Sequence, residues 1–328
     1  MAVNLTELVT STLRNRDRFV ADNVTNHNAF LRTLEDTGKI KNAGGGRDLT
    51  EPLLYNELAT KFYDGFETFS IDTSQEVIDA AVYQWKQLGG FSFISGKEKI
   101  MNREKWQAVS LAESRVDALI AGLRNKTGLS LYSDGTGEGG KEFGGLRLLV
   151  ADDPTGAGTV GGIDQVAEPW WQNQHDYQVG NLDPVAAGNG LLTRMNSMHL
   201  ACTRGTDQSD LILADSTFFT AYWELLQENA RHTSPKMADA GFRTLEFVGT
   251  PVVYDAQCAT DLTVGTSGRM YFLNCKYLTM RKAPERWFTT EDYRQIENAD
   301  YEVVPNWTMA NLTSNARFLQ GVLGNAGA

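Results

Sequence analysis

Apolar side chains recur at three- and four-residue spacing in two long stretches of the chain, and this pattern predicts two helices. The first covers residues 3 to 36, with Gly38 as its C-terminal stop. Polar residues crowd between its apolar positions, so we expect it to lie on another surface, with an ordinary amphipathic surface helix as the alternative. The second runs from Asn102, its expected N-cap, to Lys126, and is expected to rest on a sheet.

Between these helices the pattern changes to short apolar runs that are typical of strands, at residues 52–62, 66–71 and 77–86. Asp64-Gly65 lies between two of the runs, and this pair is a strong turn signal. Aromatic residues are frequent throughout residues 55–93. A ribbon that is apolar on both faces needs a partner surface, either its own core or another subunit.

After the second helix, short strands and Gly-rich turns mix with helices. The predicted elements are a strand at 146–150, a helix at 183–202, a buried strand at 210–214, a helix at 216–229 capped by Ser216, and strands at 244–254 and 270–280. Strands and helices do not alternate regularly, which indicates an α+β fold and not a doubly wound sheet.

Composition limits the possible function. A chain of 328 residues can bury a large core and commonly divides into two lobes. Its net charge of −11 argues against non-specific binding of nucleic acid by the whole molecule. The three cysteines, Cys202, Cys258 and Cys275, are far apart and predict buried thiols in a reducing compartment. The sequence predicts neither a membrane span nor a signal peptide.

One stretch resembles a catalytic motif. Residues 135–141 match the GxxxxGK pattern of a phosphate-binding loop, but Glu142 stands where Ser or Thr should bind magnesium. We therefore expect a flexible hairpin-like turn and no bound nucleotide. The Trp170-Trp171 pair could stack a sugar or a base, although core packing or a subunit contact is the commoner use. The sequence predicts no catalytic residue, no metal site and no cofactor.

A basic stretch near the C-terminus contains Lys276, Arg281, Lys282 and Arg286. Acidic residues at positions 285, 291 and 292 interrupt it. The mixture of charges favours an inter-subunit salt-bridge surface over a DNA-binding tract.

The order of these segments resembles the major capsid protein of tailed bacteriophages, whose fold, the Johnson fold, is shared with herpesvirus capsid proteins and encapsulins. The resemblance lies in ordered local patterns along nearly the whole chain. They are the helical arm ending in Gly38-Lys39-Ile40, the loop tip at residues 63–68, the returning strand at 79–87, the spine helix at 102–126, the segments 131–135 and 143–146, the strand 210–215 with its following helix, and the strand 274–278.

The resemblance implies four parts. They are an N-terminal arm (1–45), an extended β-hairpin loop (46–95), a peripheral domain with a long spine helix (96–130 and 270–304) and an axial domain (131–269 and 305–328). It also implies two sets of inter-subunit contacts. The loop would contribute Tyr55, Phe62, Tyr63, Asp64, Gly65 and Phe66, and the basic crossover would contribute Arg281, Lys282 and Arg286.

The function implied by the resemblance is self-assembly, as hexamers and pentamers, into an icosahedral shell around double-stranded DNA. The implied partners are further copies of the chain, a scaffolding protein and a portal, with a decoration protein as an optional one. Packaged DNA would touch the inner face without sequence specificity, and no membrane would be involved. Assembly would occur in the host cytoplasm, and the final location would be the virion capsid. An encapsulin-like nanocompartment shell is the alternative, and a nucleotide-binding enzyme is a more remote one.

Overall fold

The computed structural model describes residues 28–58, 60–66, 76–102, 111–156, 158–179, 190–227, 244–259, 268–297 and 299–326. The chain divides into two compact units, each assembled from three separate stretches of sequence. The first unit takes its described residues from 1–45, 85–145 and 280–312, and the second takes them from 46–84, 146–279 and 313–328.

The helices and strands of the described residues are as follows. The helices are α1 (Ala29–Asp36), α2 (Gly96–Met101), α3 (Leu111–Ser130), α4 (Leu191–Ala201) and α5 (Ser216–Gln227), with single turns at Gly137–Gly140 and Leu146–Leu149. The strands are β1 (Ile40–Asn42), β2 (Asp48–Leu54), β3 (Ile78–Gln84), β4 (Lys86–Ser95), β5 (Thr159–Val160), β6 (Ile163–Asp164), β7 (Gln174–Val179), β8 (Leu211–Ala214), β9 (Thr244–Phe247), β10 (Thr250–Tyr254), β11 (Gly268–Leu273), β12 (Leu278–Lys282), β13 (Thr289–Thr290), β14 (Arg294–Gln295), β15 (Tyr301–Ser314) and β16 (Gly321–Ala326). Short 3-10 turns lie at Pro169–Trp171, Ala256–Ala259, Cys275–Tyr277, Pro284–Arg286 and Arg317–Leu319.

The first unit is organised around a six-stranded sheet with the order β1-β12-β15-β13, in which β4 and β14 also pair with β15. The longest ladder joins β4 to β15 in antiparallel register, from Ser95 opposite Tyr301 to Lys86 opposite Ala310. Helix α3 packs on β4, where a side chain at Gly90 would lie 2.5 Å from Leu119 Cδ1. The absence of a side chain at Gly90 therefore lets the helix approach the sheet.

The polar contacts of α2 connect it to α3. Ser95 and Glu98 form a capping box at the start of α2. Arg115 of α3 donates to both carboxylate oxygens of Glu98, at 3.1 and 3.2 Å, and to the backbone carbonyl of Phe93 at 2.9 Å. The Arg115 hydrogen bond holds the pKa of Glu98 below its usual value, because it stabilises the ionised carboxylate.

The second unit contains a six-stranded sheet with the order β7-β16-β11-β8-β10-β9. Its central strand β8, Leu-Ile-Leu-Ala, is buried at every position, as expected for a strand covered on both faces. One face packs against α4 and α5 in a core that includes Met195, Phe218, Phe272 and Leu323.

The buried guanidinium of Arg317 holds a second part of this unit together. Its Nε donates to the carbonyl of Leu149 at 2.7 Å, and its terminal nitrogens donate to Gln165 Oε1, the Trp171 carbonyl and Asn173 Oδ1 at 3.0–3.3 Å. All of these acceptors are formally neutral. Burial therefore lowers the pKa of Arg317 to about 10, since no anion offsets the lost hydration.

Several predicted features agree with the structure. Helix α1 ends where expected, with Gly38 at φ +66° and the Lys39 N–H donating to the Leu34 carbonyl at 2.8 Å. The mixture of helices and sheets is α+β, as predicted. The buried strand at 211–214 and the β9–β10 hairpin also lie at their predicted positions. Residues 3–27 of the predicted arm helix and residues 103–110 of the predicted spine helix lie outside the described residues.

Other predictions were wrong at the level of single elements. Asn102 ends α2, and residues 103–110, where the long helix was predicted to begin, lie outside the described residues. Residues 146–149 form a helical turn and not a strand. Asp215, not Ser216, caps α5, because its Oδ1 accepts from the Phe218 N–H at 2.9 Å.

The predicted strand 270–280 is divided into β11 and β12 by a 3-10 turn, and these strands belong to different sheets. The predicted loop 46–95 is also divided: residues 48–84 contain the β2–β3 hairpin, whereas β4 pairs with β15 in the sheet of the first unit. The paired hairpin ends at Gln84.

We predict that Arg317→Lys destabilises the protein by roughly 2–5 kcal/mol, because lysine leaves several buried acceptors without a donor. The measurement is equilibrium urea unfolding. Arg204→Lys is the matched control, since Arg204 is exposed over the Phe318 ring at 4.7 Å. A loss for Arg317→Lys no larger than for this control would contradict the role given to the guanidinium.

We also predict a specific acid sensitivity at the α2–α3 contact. Because the folded-state pKa of Glu98 is lowered, its stabilising effect is fully present above its unfolded pKa and is lost as pH falls through the folded pKa. Glu98→Gln should therefore reduce stability at neutral pH, and the gap to the wild type should narrow below about pH 4.5. The measurement is the urea unfolding midpoint of the wild type and of Glu98→Gln across this pH range. A difference between the two midpoints that stays constant on acidification would contradict the prediction.

Candidate subunit-contact site

The base of the extended loop is a regular antiparallel hairpin within the second unit. Strands β2 and β3 pair from Asp48 opposite Gln84 to Leu54 opposite Ile78. Alternate side chains of this hairpin are buried: Leu49, Glu51 and Leu53 on β2, and Ala81 and Tyr83 on β3. One face of the base is thus part of the protein body, as the two-residue period of a strand requires.

Polar contacts fix this base. Tyr83 Oη donates to the Ser314 carbonyl at 2.9 Å, and Thr313 Oγ1 donates to Glu51 Oε1 at 2.9 Å. The Val82 N–H donates to the carbonyl of Gly161, in the β5–β6 turn, at 2.7 Å. The hairpin is therefore held by the C-terminal end of β15 and by a second, smaller hairpin.

The described residues 60–66 of the loop, which we call the tip, have the opposite character. Phe62 and Phe66 are fully exposed, and Tyr63 is 63% exposed. Asp64 and Gly65 are exposed between them, with Asp64 Oδ1 accepting from the Gly65 N–H at 2.9 Å at a turn. Five of the six predicted loop residues thus present an apolar and acidic tip to solvent. Residues 67–75 lie outside the described residues.

Tyr55, the sixth predicted residue, instead packs within its own chain. Its ring stacks on Trp170, with centroids 4.8 Å apart and planes 18° from parallel. The neighbouring Trp171 is buried and donates from Nε1 to the Val160 carbonyl at 2.9 Å. The tryptophan pair therefore has two different packing roles.

The basic crossover lies in the first unit, beside aromatic rings. Arg281 and Lys282 are on β12, opposite Lys41 and Asn42 of β1. Lys282 Nζ lies 5.2 Å from the Trp287 ring centroid, and Arg286 Cζ lies 5.9 Å from that of Trp307. Both distances are typical of cation–π contacts. The predicted inter-subunit ion pairs stay a prediction, because the structure contains a single chain.

Next to this crossover is a patch that the sequence analysis missed. Phe91 and Phe93 of β4 are exposed, and Phe91 packs edge-on against Trp307 at 5.4 Å. The alternate positions of β4 lie on the other face of the strand: Gly90 faces Leu119 of α3, and Ile94 is buried. The two-residue spacing of Phe91 and Phe93 in the sequence indicates that both rings lie on the same face of the strand.

The Gly135–Lys141 loop is built from contacts that differ from those of a phosphate site. Glu138, Gly139 and Gly140 all have positive φ. Lys86 Nζ donates to the Gly140 carbonyl, and Lys126 pairs with Glu138 at 2.9 Å. This hydrogen bond raises the pKa of Lys126 and lowers that of Glu138.

A cavity of about 100 Å³ beside this loop has two carboxylates in its lining, Glu138 and Glu142, together with Lys141 and with Lys126, which is already paired with Glu138. These carboxylates would repel a phosphate group. The loop therefore gives no support to the nucleotide-binding alternative.

The remaining candidate chemistry is sparse. Cys202, Cys258 and Cys275 are buried, and burial raises the pKa of the Cys202 thiol to about 12. Among the described residues, no cluster of His, Cys, Asp and Glu side chains could hold a metal ion. No helix in the described part of the chain is long and apolar enough to cross a membrane.

No protein-family model matches the chain, and no curated protein matches its sequence. Its structure, however, matches a chain of the cyanophage A-1(L) capsid asymmetric unit with a TM-score of 0.71 at 16% identity, covering 95% of this chain and 96% of the other. The chain has the fold of phage capsid proteins.

Two further solved structures share this fold. The capsid of a native GTA particle matches with a TM-score of 0.63 at 11% identity, over 94% of this chain and 95% of that one. The holo-SrpI encapsulin complex from Synechococcus elongatus matches with a TM-score of 0.58 at 8% identity, over 98% and 95%. The predicted capsid fold is therefore confirmed over nearly the whole chain.

The base of the hairpin yields a prediction for Gly161. A side chain there would lie 2.9 Å from Ala81 Cβ, at a φ of +62°. Gly161→Ala should therefore destabilise the protein by roughly 1–3 kcal/mol, through overpacking as well as backbone strain. Gly162→Ala is the matched control, because Gly162 has φ +80° and open space around its Cβ position. Equal losses for both variants in thermal unfolding would contradict the packing of Gly161 on β3.

Proposed function

We propose that this chain is the major capsid protein of a tailed bacteriophage, which assembles as hexamers and pentamers into an icosahedral shell around double-stranded DNA. The observation that carries the proposal is the match to a phage capsid chain over 95% of this chain and 96% of the other. Because the likeness extends over nearly the full length of both chains, it supports a shared subunit architecture and not only a shared local motif.

The hairpin tip gives a physical reason for assembly. Phe62 and Phe66 have no cover within the described residues. Burying each ring on a neighbouring copy would contribute roughly 1.5–3 kcal/mol. This gain is repeated at every copy of a shell, so a modest contact per subunit can hold a large particle together.

We assign the second contact set to the basic crossover, where Arg281, Lys282 and Arg286 would meet acidic groups of another subunit. Packaged DNA would touch the inner surface without sequence specificity, since a net charge of −11 opposes tight binding. A scaffolding protein and a portal are the further partners, with a decoration protein as an optional one. The chain would have no enzymatic role, and it would assemble in the host cytoplasm and remain in the virion.

An encapsulin-like compartment shell is the second candidate function, and the match to the SrpI encapsulin complex favours it. Both candidates form closed shells, so the contents of the shell distinguish them. A capsid would enclose nuclease-protected DNA, whereas a compartment would enclose protein cargo.

Electron microscopy of the expressed full-length chain tests the shared part of the proposal. Closed, regular particles are the expected result, with a co-expressed scaffolding protein supplied where the chain alone does not close. A small soluble oligomer under both conditions would contradict the shell function.

We predict that Phe66→Asp leaves the subunit folded but sharply lowers the yield of particles. The side chain is exposed, so the change in unfolding free energy should stay within about 0.5 kcal/mol. Phe66→Leu, which keeps an apolar side chain, should retain most of the yield. Particle yield is measured by sedimentation; normal yield for the aspartate variant would show that the tip makes no essential contact.

A further inference from the structure

The stack of Tyr55 on Trp170 is an aromatic contact within the chain to which the shell contacts above assign no role. The two rings are 4.8 Å apart and nearly parallel. Trp170 is oriented from its other side as well, because its Nε1–H donates to Glu168 Oε2 at 2.5 Å. Pro169 begins the 3-10 turn that carries Trp170, which restricts the backbone there. The indole is therefore a fixed platform.

The position of this platform in the hairpin is informative. Tyr55 directly follows β2, and its N–H donates to the Val77 carbonyl at 3.2 Å, one step beyond the last paired residues of β2 and β3. The described residues after it, 56–58 and 60–66, form no strand and are exposed at every position. The stack thus lies where the loop leaves the protein body.

The stack also bears on the use of Trp170 as a ligand platform. Tyr55 covers one face of the indole, and the ring of Trp171 lies 5.7 Å from Trp170, tilted by 57°. A sugar or base would have to displace Tyr55 to stack on the covered face. The geometry is that of a structural contact within the chain.

We propose that Trp170 is a positioning residue for assembly: its stack with Tyr55 sets the direction in which the loop tip leaves the body. This inference rests on the proposed shell function. An aromatic pair favours its stacked arrangement by roughly two- to tenfold over an unstacked one. A tip held in one direction loses less conformational freedom when it docks on a neighbour, so the contact forms more readily.

The first test measures the direction of the loop within one chain. Spin labels are placed at Leu58→Cys and Val166→Cys, two exposed positions, while the three native cysteines are buried. Labelled chain is diluted with unlabelled chain, so that only distances within one chain are recorded. With Trp170 present, the expected result is a narrow distance distribution. Trp170→Ala should broaden or shift it, and Trp170→Phe, which keeps a stacking ring, should restore it.

An unchanged distribution in Trp170→Ala overturns the inference. If this variant fails to fold, Tyr55→Ala removes the same stack from the loop side and is judged by the same criterion. Particle yield is the second readout: it should fall in Trp170→Ala and recover in Trp170→Phe.

The two readouts separate this inference from the shell function. A changed distribution with normal particle yield overturns the positioning role in assembly and leaves the shell function intact. If chains with Trp170 form no particles at all, the shell function fails, whereas the distance measurement still decides whether the stack directs the loop.

Discussion

The buried guanidinium of Arg317 is the contact on which the arrangement of the second unit depends. It joins the 3-10 turn at Arg317–Leu319 to the carbonyls of Leu149 and Trp171 and to the side chains of Gln165 and Asn173. A cation among neutral acceptors is costly to bury, and it is tolerated because each of its N–H groups finds an oxygen. Thr313 and Ser314, at the end of β15, lie just before this turn. They form hydrogen bonds with Glu51 and Tyr83 at the hairpin base.

This series of contacts explains how the hairpin can have a fixed base and an exposed tip. Its base shares buried side chains and polar contacts with the protein body, so the strands cannot slip in register without losing them. Its tip carries the rings of Phe62 and Phe66, which are fully exposed. A fixed base that carries an exposed apolar tip is well suited to a contact between copies of the same chain.

The sequence allowed part of this arrangement to be predicted. Apolar spacing located α3 and β8, Gly38 marked the end of α1, and the Asp64-Gly65 pair marked the turn at the tip, because each of these signals is local. The contacts that decide sheet membership are not local. Residues 270–280 form a continuous apolar run, yet a 3-10 turn after Asn274 divides them between two sheets. The pairing of β4 with β15 joins residues about two hundred positions apart, and no periodicity reveals it.

The candidate site shows the same limit. Exposure of Phe62 and Phe66 could be expected from a two-faced ribbon, whereas Tyr55 looked equivalent to them and instead stacks on Trp170. The basic crossover was recognised by its charge, but the rings of Trp287 and Trp307 beside it come from residues brought together by the fold.

A cryo-electron microscopy map of assembled particles, at a resolution that shows side chains, tests the central claim most directly. The account predicts closed shells in which Phe62, Tyr63 and Phe66 of each chain are buried on a neighbouring copy, with the hairpin base held as in the isolated chain. Particles in which these rings remain in solvent, or fold back onto their own chain, would contradict it.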